Sequence, residues 1–177
     1  MAWAMQDAHP QSCFGLGGRQ VRTGPEYGHI FDHHAVCYEY ATGERCFCYC
    51  RQQSGTYPDT SQLVFGSEGT ADLRRGTTTG QETWRYSQAR SGEQDVPYQR
   101  EQDSLLASIR AGKPINNGDY AAKSTLMAIM GRMATYTGQR ITWEQAWNSQ
   151  EVLTVDRYTF GPLEVPPVAV PGVTQFR

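Results

Sequence analysis

The densest group of side chains that could do chemistry lies between Glu26 and His34. Three of the four histidines and two carboxylates fall in this segment, beside Arg19 and Arg22. Imidazole and carboxylate groups orient hydroxyls and exchange protons, and such concentrations are common in binding and catalytic sites. A solvated polar sheet edge has the same composition. Both interpretations stay open at this point.

The spacing within the segment argues against a metal site. On a strand with a rise of ~3.3 Å per residue, His29 and His33 share one face but lie ~13 Å apart, too far for one ion. Asp32 and His34 share the other face at ~7 Å, so both could reach a ligand placed between them. The pattern therefore favours a small-molecule site over a metal centre.

The cysteines offer a second candidate chemistry. Thr42-Gly43 predicts a two-residue hairpin turn that pairs Ala41 with Glu44 and Cys37 with Cys48. This register places four thiols on one face: Cys37, Cys46, Cys48 and Cys50. Neighbouring thiols on one strand lie ~7 Å apart, which is poor metal spacing, so reduced, buried cysteines are expected. A metal or a cross-strand disulfide at Cys37 is the alternative.

A glycine-rich stretch from Phe14 to Gln20 resembles a dinucleotide-binding turn only in part. Gln20 replaces the third glycine of the motif, and Gly24-Pro25 prevents the helix that should follow. Without a helix N-terminus no amides or dipole face a pyrophosphate. The stretch is interpreted as a loop leading into a strand.

Whole-chain properties exclude several classes of function. The formal charge of -2 gives no electrostatic attraction to nucleic acid or anionic membranes. No apolar run approaches the ~20 residues of a membrane span. The first residues lack the basic and apolar regions of a signal peptide. We expect a single-domain, cytoplasmic protein, with the compartment of any longer parent left open.

Periodicity predicts strands first and helices second. Residues 19–51 are predicted as strands, Leu63 to Leu73 as a second hairpin around Ser67-Glu68, and Glu82 to Tyr86 as a further strand. Residues 87–95 are predicted as a loop. Helical spacing then begins at Tyr98 and ends before Gly112.

A second helix is predicted from about Asp119 to Thr137, capped by Asn117 and ended by Gly138. Its expected inner stripe is Ala122, Leu126, Ile129, Met130 and Met133. Thr142 to Gln145 matches a capping box and predicts a short third helix. The proline-rich tail, residues 161–177, is expected to form an extended arm.

Three groups of residues carry a resemblance that covers the chain from about Gly17 to its tail. They are Gly17 to Gly28 with Ile30 to His33; Pro97-Tyr98-Gln99 with Glu101 and Ile109 to Pro114; and Lys123 to Leu126 with Ile129 to Gly138, leading into Thr142-Trp143-Glu144. Together they resemble the bacterial-type carboxy-terminal domain of the glucose–fructose oxidoreductase / inositol dehydrogenase / MocA family.

The resemblance implies an α+β fold with a large open, mainly antiparallel sheet and helices packed on one face. One end of the sheet would hold a sugar or cyclitol, and one face would pair subunits into a homodimer or higher oligomer. The family's amino-terminal Rossmann domain, which binds NAD or NADP, is absent from these residues. So are its Glu-Lys-Pro lysine motif and its acid–histidine helix motif. Residues 1–16 are expected to be the remnant of that helix and a linker.

Position by position, the resemblance suggests five substrate-binding residues: Arg19, Tyr27, His29, Asp32 and His33. No catalytic, cofactor-binding or metal residue is assigned, and Gln102 stands where relatives commonly carry histidine. The expected function is the substrate and oligomerisation domain of an NAD(P)-dependent oxidoreductase, inactive alone. The alternatives are a free-standing carbohydrate-binding or dimeric scaffold module and, less favoured by the spacing, a metal-dependent hydrolase.

Overall fold

The computed structural model describes residues 1–86, 97–155 and 157–177. They form two compact units: Met1–Thr56 with Gly118–Arg177, called the first unit, and Tyr57–Asn117, called the second unit. In chain order the elements are β1 (Ser12–Gly18), β2 (His33–Glu39), β3 (Arg45–Arg51), β4 (Leu63–Phe65), β5 (Gly69–Asp72), β6 (Thr77–Gly80), β7 (Trp84–Arg85), α1 (Pro97–Arg110), α2 (Gly118–Thr137), β8 (Ile141–Thr142) and α3 (Trp143–Trp147).

The α+β class predicted from the sequence is confirmed. The described strands form two four-stranded sheets, ordered β3-β2-β1-β8 in the first unit and β4-β5-β6-β7 in the second. Every pairing between them is antiparallel. A single domain over residues 1–177 stays a prediction.

The central strand β1 corrects the sequence interpretation of the glycine-rich stretch. Phe14 to Gly18 belong to β1 and pair with β2, so they are not a loop. A Cβ on Gly17 would lie 3.0 Å from the Thr135 Cβ of α2 and 3.1 Å from the Phe31 ring. The glycine thus permits close packing of helix and loop on the strand.

The β2–β3 hairpin turns over three residues instead of two. The Tyr40 N–H donates to the Glu44 carbonyl at 3.0 Å, and the Gly43 N–H donates to the Tyr40 carbonyl at 3.0 Å. Gly43 has φ +101°, a value that L side chains rarely adopt. A three-residue loop that ends in such a glycine adds one residue to the predicted turn.

That extra residue moves the register by one, so the predicted pairing of Cys37 with Cys48 is wrong. Cys37 pairs with Phe47, and Cys48 pairs with Val36. Since a shift of one residue exchanges the faces of a strand, Cys37 lies on the face opposite the other three predicted neighbours.

The cysteines lie in the described residues and are free thiols. Cys13 is fully buried in the core, and its Sγ donates to the Met130 carbonyl at 3.4 Å. Burial raises the pKa of Cys13 to about 12, which keeps the thiol protonated. Within the described residues, no three His, Cys, Asp or Glu side chains converge as a metal site requires.

Helix α2 covers one face of the first sheet. It packs on β1 and β2, and Met130 and Met133 are buried there as predicted, whereas Ala122 and Ile129 are exposed. At Gly131 the helix lies so close to β2 that a Cβ would overlap the Tyr38 hydroxyl. That hydroxyl donates to the Met127 carbonyl at 2.9 Å, which joins strand and helix.

The ends of the helices in the first unit follow their sequence signals. Gly138 has φ +72°, and its N–H donates to the Ala134 carbonyl at 2.9 Å, as in a left-handed C-terminal cap. Thr142 and Gln145 form the predicted capping box at the start of α3. Both predictions are confirmed.

The second unit contains β4 to β7 and α1. The predicted hairpin at Ser67-Glu68 is confirmed, with the Gly66 N–H donating to the Gly69 carbonyl at 2.8 Å. Strand β6 lies in a Gly- and Thr-rich stretch, residues 76–80, for which the sequence predicts no element. The loop predicted over residues 87–95 falls outside the described residues.

The two ends of the chain contain little regular secondary structure. A 3-10 helix spans Trp3–Met5, and β1 begins at Ser12, inside the range expected to be linker. The tail of residues 161–177 contains no helix or strand, as predicted. Across the three described ranges, no helix has both the length and the apolar character needed to cross a membrane.

Candidate functional site

The segment predicted to carry the site is a loop, residues 19–32, between β1 and β2. The strand predicted here from the sequence is wrong: Pro25–Tyr27 is a 3-10 helix, and β2 begins only at His33. Because Gly18 and His33 are register partners, the loop leaves and re-enters the sheet at one end. The alternation used to group His29 with His33 therefore does not apply.

Asp32 ties the loop to itself through backbone amides. Its Oδ2 accepts from the N–H groups of Gln20 at 2.8 Å, Val21 at 2.7 Å and Arg22 at 3.0 Å. Its Oδ1 lies 2.8 Å from Nδ1 of His33. The Asp32 side chain is fully buried.

The charge of Asp32 is stabilised by these donors. Burial alone would raise the pKa of this carboxyl, but the hydrogen bonds from Arg22, Val21, His33 and Gln20 outweigh it and hold the pKa well below its usual range. A buried carboxylate with several amide donors remains ionised at neutral pH. Asp32 thus carries a negative charge at neutral pH, held against the amides of the loop.

Arg19 ties the same loop through its carbonyls. The guanidinium donates to the carbonyl oxygens of Gly28 at 2.6 Å, Gly24 at 2.8 Å and Arg22. Arg19 and Asp32 thus satisfy backbone acceptors and donors of one loop, which makes it rigid. Both residues have a structural role here, and direct contact with a substrate stays a prediction for them.

The outer part of the loop presents an aromatic and a cation. The guanidinium carbon of Arg22 lies 5.5 Å from the ring centroid of Tyr27, within cation–π range, and Arg22 also donates to Gln52 at 3.3 Å. Tyr27 is 39% exposed, and His29 is partly exposed at the turn beyond it. From the sequence, Arg22 was noted beside the cluster without a role and Gln52 was not named, because the fold of the chain and not residue spacing brings the two together.

His33 and His34 point to opposite faces of β2. The His34 Nδ1 lies 2.9 Å from the Thr135 hydroxyl on α2, and its ring packs near Phe31 and Tyr136. Burial lowers the pKa of His34, with a smaller effect from the charge of His33. The suggested ligand position between Asp32 and His34 is wrong, because Asp32 faces the loop amides and His34 faces the helix.

The structure therefore brings together part of the predicted set. Asp32 and His33 are in direct contact, Arg19 shares their loop, and Tyr27 and His29 lie on its outer turn. A Cβ on Gly28 would lie 3.9 Å from Val165 of the tail, so the arm passes beside that turn. The arrangement offers a rigid rim with hydrogen-bonding and aromatic groups, the composition of a small polar ligand site.

The chain matches no protein-family model and no curated protein sequence. Among solved structures it is similar to GenD2 from gentamicin A biosynthesis, determined in complex with NAD. The TM-score is 0.53 at 16% sequence identity, over 80% of this chain. The likeness covers 44% of the GenD2 chain, so this chain spans less than half the length of that protein. At this identity the likeness shows a distantly related fold.

Proposed function

We propose that this chain is the substrate-binding and oligomerisation domain of an NAD(P)-dependent sugar or cyclitol oxidoreductase. The observation that carries the proposal is the fold shared with GenD2, a protein that binds NAD, over 80% of this chain. The motif resemblance noted in the sequence points to the same class of enzyme. Nucleotide binding would belong to a Rossmann domain outside these residues, so the chain alone is expected to be inactive.

The 19–32 loop supports the location of the substrate end. Arg19 and Asp32 hold its backbone rigid, so little conformational entropy is lost when a ligand binds. Tyr27 and His33 remain partly exposed at the same end of the sheet. An aromatic face and an imidazole are suited to the apolar face and the hydroxyls of a sugar.

The opposite face of the first sheet supports the oligomerisation role. On the side away from α2 it exposes Phe14, Leu16, Phe47 and Tyr49, of which Leu16 is 80% and Tyr49 is 73% exposed. We call these four residues the open face. A cluster of exposed apolar side chains on one sheet is typical of a protein interface. The same observation favours the second candidate function, a free-standing dimeric scaffold or carbohydrate-binding module.

Titration of the chain followed by NMR tests the proposal. We expect myo-inositol or glucose to shift amide resonances in the 19–32 loop and at the start of β2, and NAD and NADP to shift none. Tyr27→Ala should weaken the polyol response, and Tyr57→Ala, an exposed tyrosine of the second unit, is the control. Polyol shifts confined to other parts of the chain, or binding of NAD here, would contradict the proposal.

The two candidate functions differ in what the chain does with a nucleotide-binding partner. An oxidoreductase domain should restore polyol-dependent reduction of NAD or NADP when it is joined to the Rossmann segment encoded upstream. A free-standing module should bind polyol or dimerise with no such segment upstream. Reading the DNA that precedes the codon for Met1 separates the two.

A further inference from the structure

Three cysteines of β3, Cys46, Cys48 and Cys50, lie in a row on one face of the first sheet. Two of their register partners on β2 are Tyr38 and Val36, which are buried in the core. The three thiols therefore lie on the side of the sheet where α2 packs on β1 and β2. Cys46 is half-buried against the core, whereas Cys48 and Cys50 are exposed. The burial predicted from the sequence is thus wrong for Cys48 and Cys50, called the exposed pair.

The separation of the exposed pair decides which bonds it can form. Residues two apart on a strand have Cα atoms ~7 Å apart. A disulfide joins Cα atoms about 4.4–6.8 Å apart, so one between these neighbours would distort the strand. Two sulfurs on opposite sides of a single metal ion lie about 4.6 Å apart if each metal–sulfur bond is about 2.3 Å. Cysteine side chains can lean along the strand, so the spacing favours a shared ion over a disulfide.

The number of donors decides which ion is suited to the exposed pair. Within the described residues, no three His, Cys, Asp or Glu side chains converge on one point. Structural zinc and iron–sulfur clusters take four ligands, and calcium and magnesium prefer oxygen. Cu(I) is a soft cation that prefers thiolates, and two thiolates in a line are enough to hold it. Two neighbouring thiols therefore match Cu(I) better than any of these other metals.

The electrostatic surroundings keep the exposed pair available for an ion. Burial raises the pKa of the Cys48 thiol, and the charge of Cys50 raises it further. Since the thiolate is the form that oxidants attack, the Cys48 thiol is slow to oxidise at neutral pH. A cation placed between the two sulfurs would remove the repulsion between their thiolates.

We propose that Cys48 and Cys50 form a binding site for one Cu(I) ion on the α2 side of β3. The site goes beyond the function proposed above and does not depend on it. On binding, the two S–H bonds break, two protons leave to the solvent and two Cu–S bonds form. The copper stays Cu(I), so no oxidant or reductant is needed. The ion and its two thiolates together carry one negative charge.

Titration of the reduced chain with Cu(I), under nitrogen and against a chromophoric Cu(I) chelator, tests the site. We expect one equivalent of Cu(I) per chain to leave the chelator and Zn(II) not to displace it. Half an equivalent per chain, with the mass doubled in light scattering, would place the ion between two copies and overturn the site within one chain. Absence of any transfer from the chelator would also overturn it.

Alanine variants assign the ligands. Cys48→Ala and Cys50→Ala should each weaken Cu(I) binding at least about tenfold, since even the loss of an outer-shell partner has an effect of this size. Cys46→Ala should bind as the wild type does. Cys37→Ala is the matched control, because Cys37 is a free thiol of the same hairpin on the opposite face. Unchanged binding in Cys48→Ala, or an equal loss in Cys37→Ala, would refute the assignment.

X-ray absorption at the copper edge tests the geometry in the wild-type chain, independently of how any variant folds. We expect two sulfur neighbours at one distance and no further ligand. Alkylation followed by peptide mapping should show that Cu(I) protects Cys48 and Cys50. Three or four sulfur neighbours, or protection of Cys46 in place of Cys50, would overturn the two-thiolate site.

Discussion

Asp32 couples the stability of the first unit to pH. Its pKa is lowered in the folded chain by the loop amides and His33, so its stabilising effect is complete above the unfolded value of about 3.9 and is lost as the pH falls toward the folded value. We expect the free energy of unfolding to decrease below about pH 4 and to decrease less steeply in Asp32→Asn. Urea unfolding between neutral and acid pH measures both, and identical pH slopes would contradict the assignment.

Tyr38 and Tyr40 are two buried tyrosines that differ in the hydrogen bonding of their hydroxyls. The Tyr38 hydroxyl donates to Met127, whereas that of Tyr40 has no hydrogen-bond partner among the described residues. Burial raises the pKa of Tyr40 to about 12. We expect Tyr38→Phe to cost about 1 kcal/mol of unfolding free energy and Tyr40→Phe to be neutral or stabilising. Equal losses in urea unfolding would show that Tyr40 is satisfied after all.

At the scale of single residues, the sequence pointed to the segment of the candidate site but not to the contacts within it. Concentration of charge and imidazole pointed to the region from Arg19 to His34. Side-chain directions were derived from strand alternation, which fails where the chain forms a 3-10 helix at Pro25–Tyr27. The amide contacts of Asp32 depend on how the loop folds back, and residue spacing carries no signal for that.

At the level of elements, the helices and their ends were predicted correctly, whereas two strands and the register of β2 with β3 were not. The helices, the Gly138 cap and the Thr142 capping box follow from short-range chemistry, and the structure contains them. The predicted register of β2 with β3 is wrong by one residue, because Gly43 takes a positive φ in a three-residue loop. Strands β1 and β6 were missed since glycines placed for close packing, or for turns, weaken a strand pattern.

The contact between α2 and β2 depends on Gly131. Alanine there should gain up to about 1 kcal/mol in helix propensity, but its Cβ would overlap the Tyr38 hydroxyl, and overpacking costs about 1–3 kcal/mol. We therefore expect Gly131→Ala to lower the urea midpoint. In a Tyr38→Phe background the same change should cost less, because the hydroxyl is gone. An equal cost in both backgrounds would place the strain elsewhere.

On the scale of the whole molecule, the buried core belongs to the first unit. Its cluster joins β1, β2, α2, β8 and α3, with Met130 and Ile141 fully buried. Among the described residues of the second unit, none is buried. We expect amide hydrogens of β4 to β7 and α1 to exchange much faster than those of β1, β2 and the second half of α2. Equal protection, measured by hydrogen exchange and mass spectrometry, would indicate one cooperative domain.

Self-association through the open face is the last prediction for the whole molecule, and it follows from the exposed apolar side chains of that face. A stable interface buries about 800 Å² on each partner, and an apolar sheet surface that includes Phe47 and Tyr49 is suited to form its centre. We expect the wild-type chain to be a dimer in light scattering coupled to size exclusion. A charge at the centre of the interface would be buried without a partner, so Tyr49→Glu should give monomers.

Phe160→Glu provides the matched control, since Phe160 is an exposed aromatic outside the open face. Phe160→Glu should leave the dimer mass measured by light scattering unchanged, because it adds the same charge at a position outside the interface. Circular dichroism of each variant shows whether the fold is kept. A wild-type chain that is monomeric at every concentration, or a Tyr49→Glu variant that remains dimeric, would exclude the open face as the subunit contact. Loss of the dimer in Tyr49→Glu alone would assign the contact to this face.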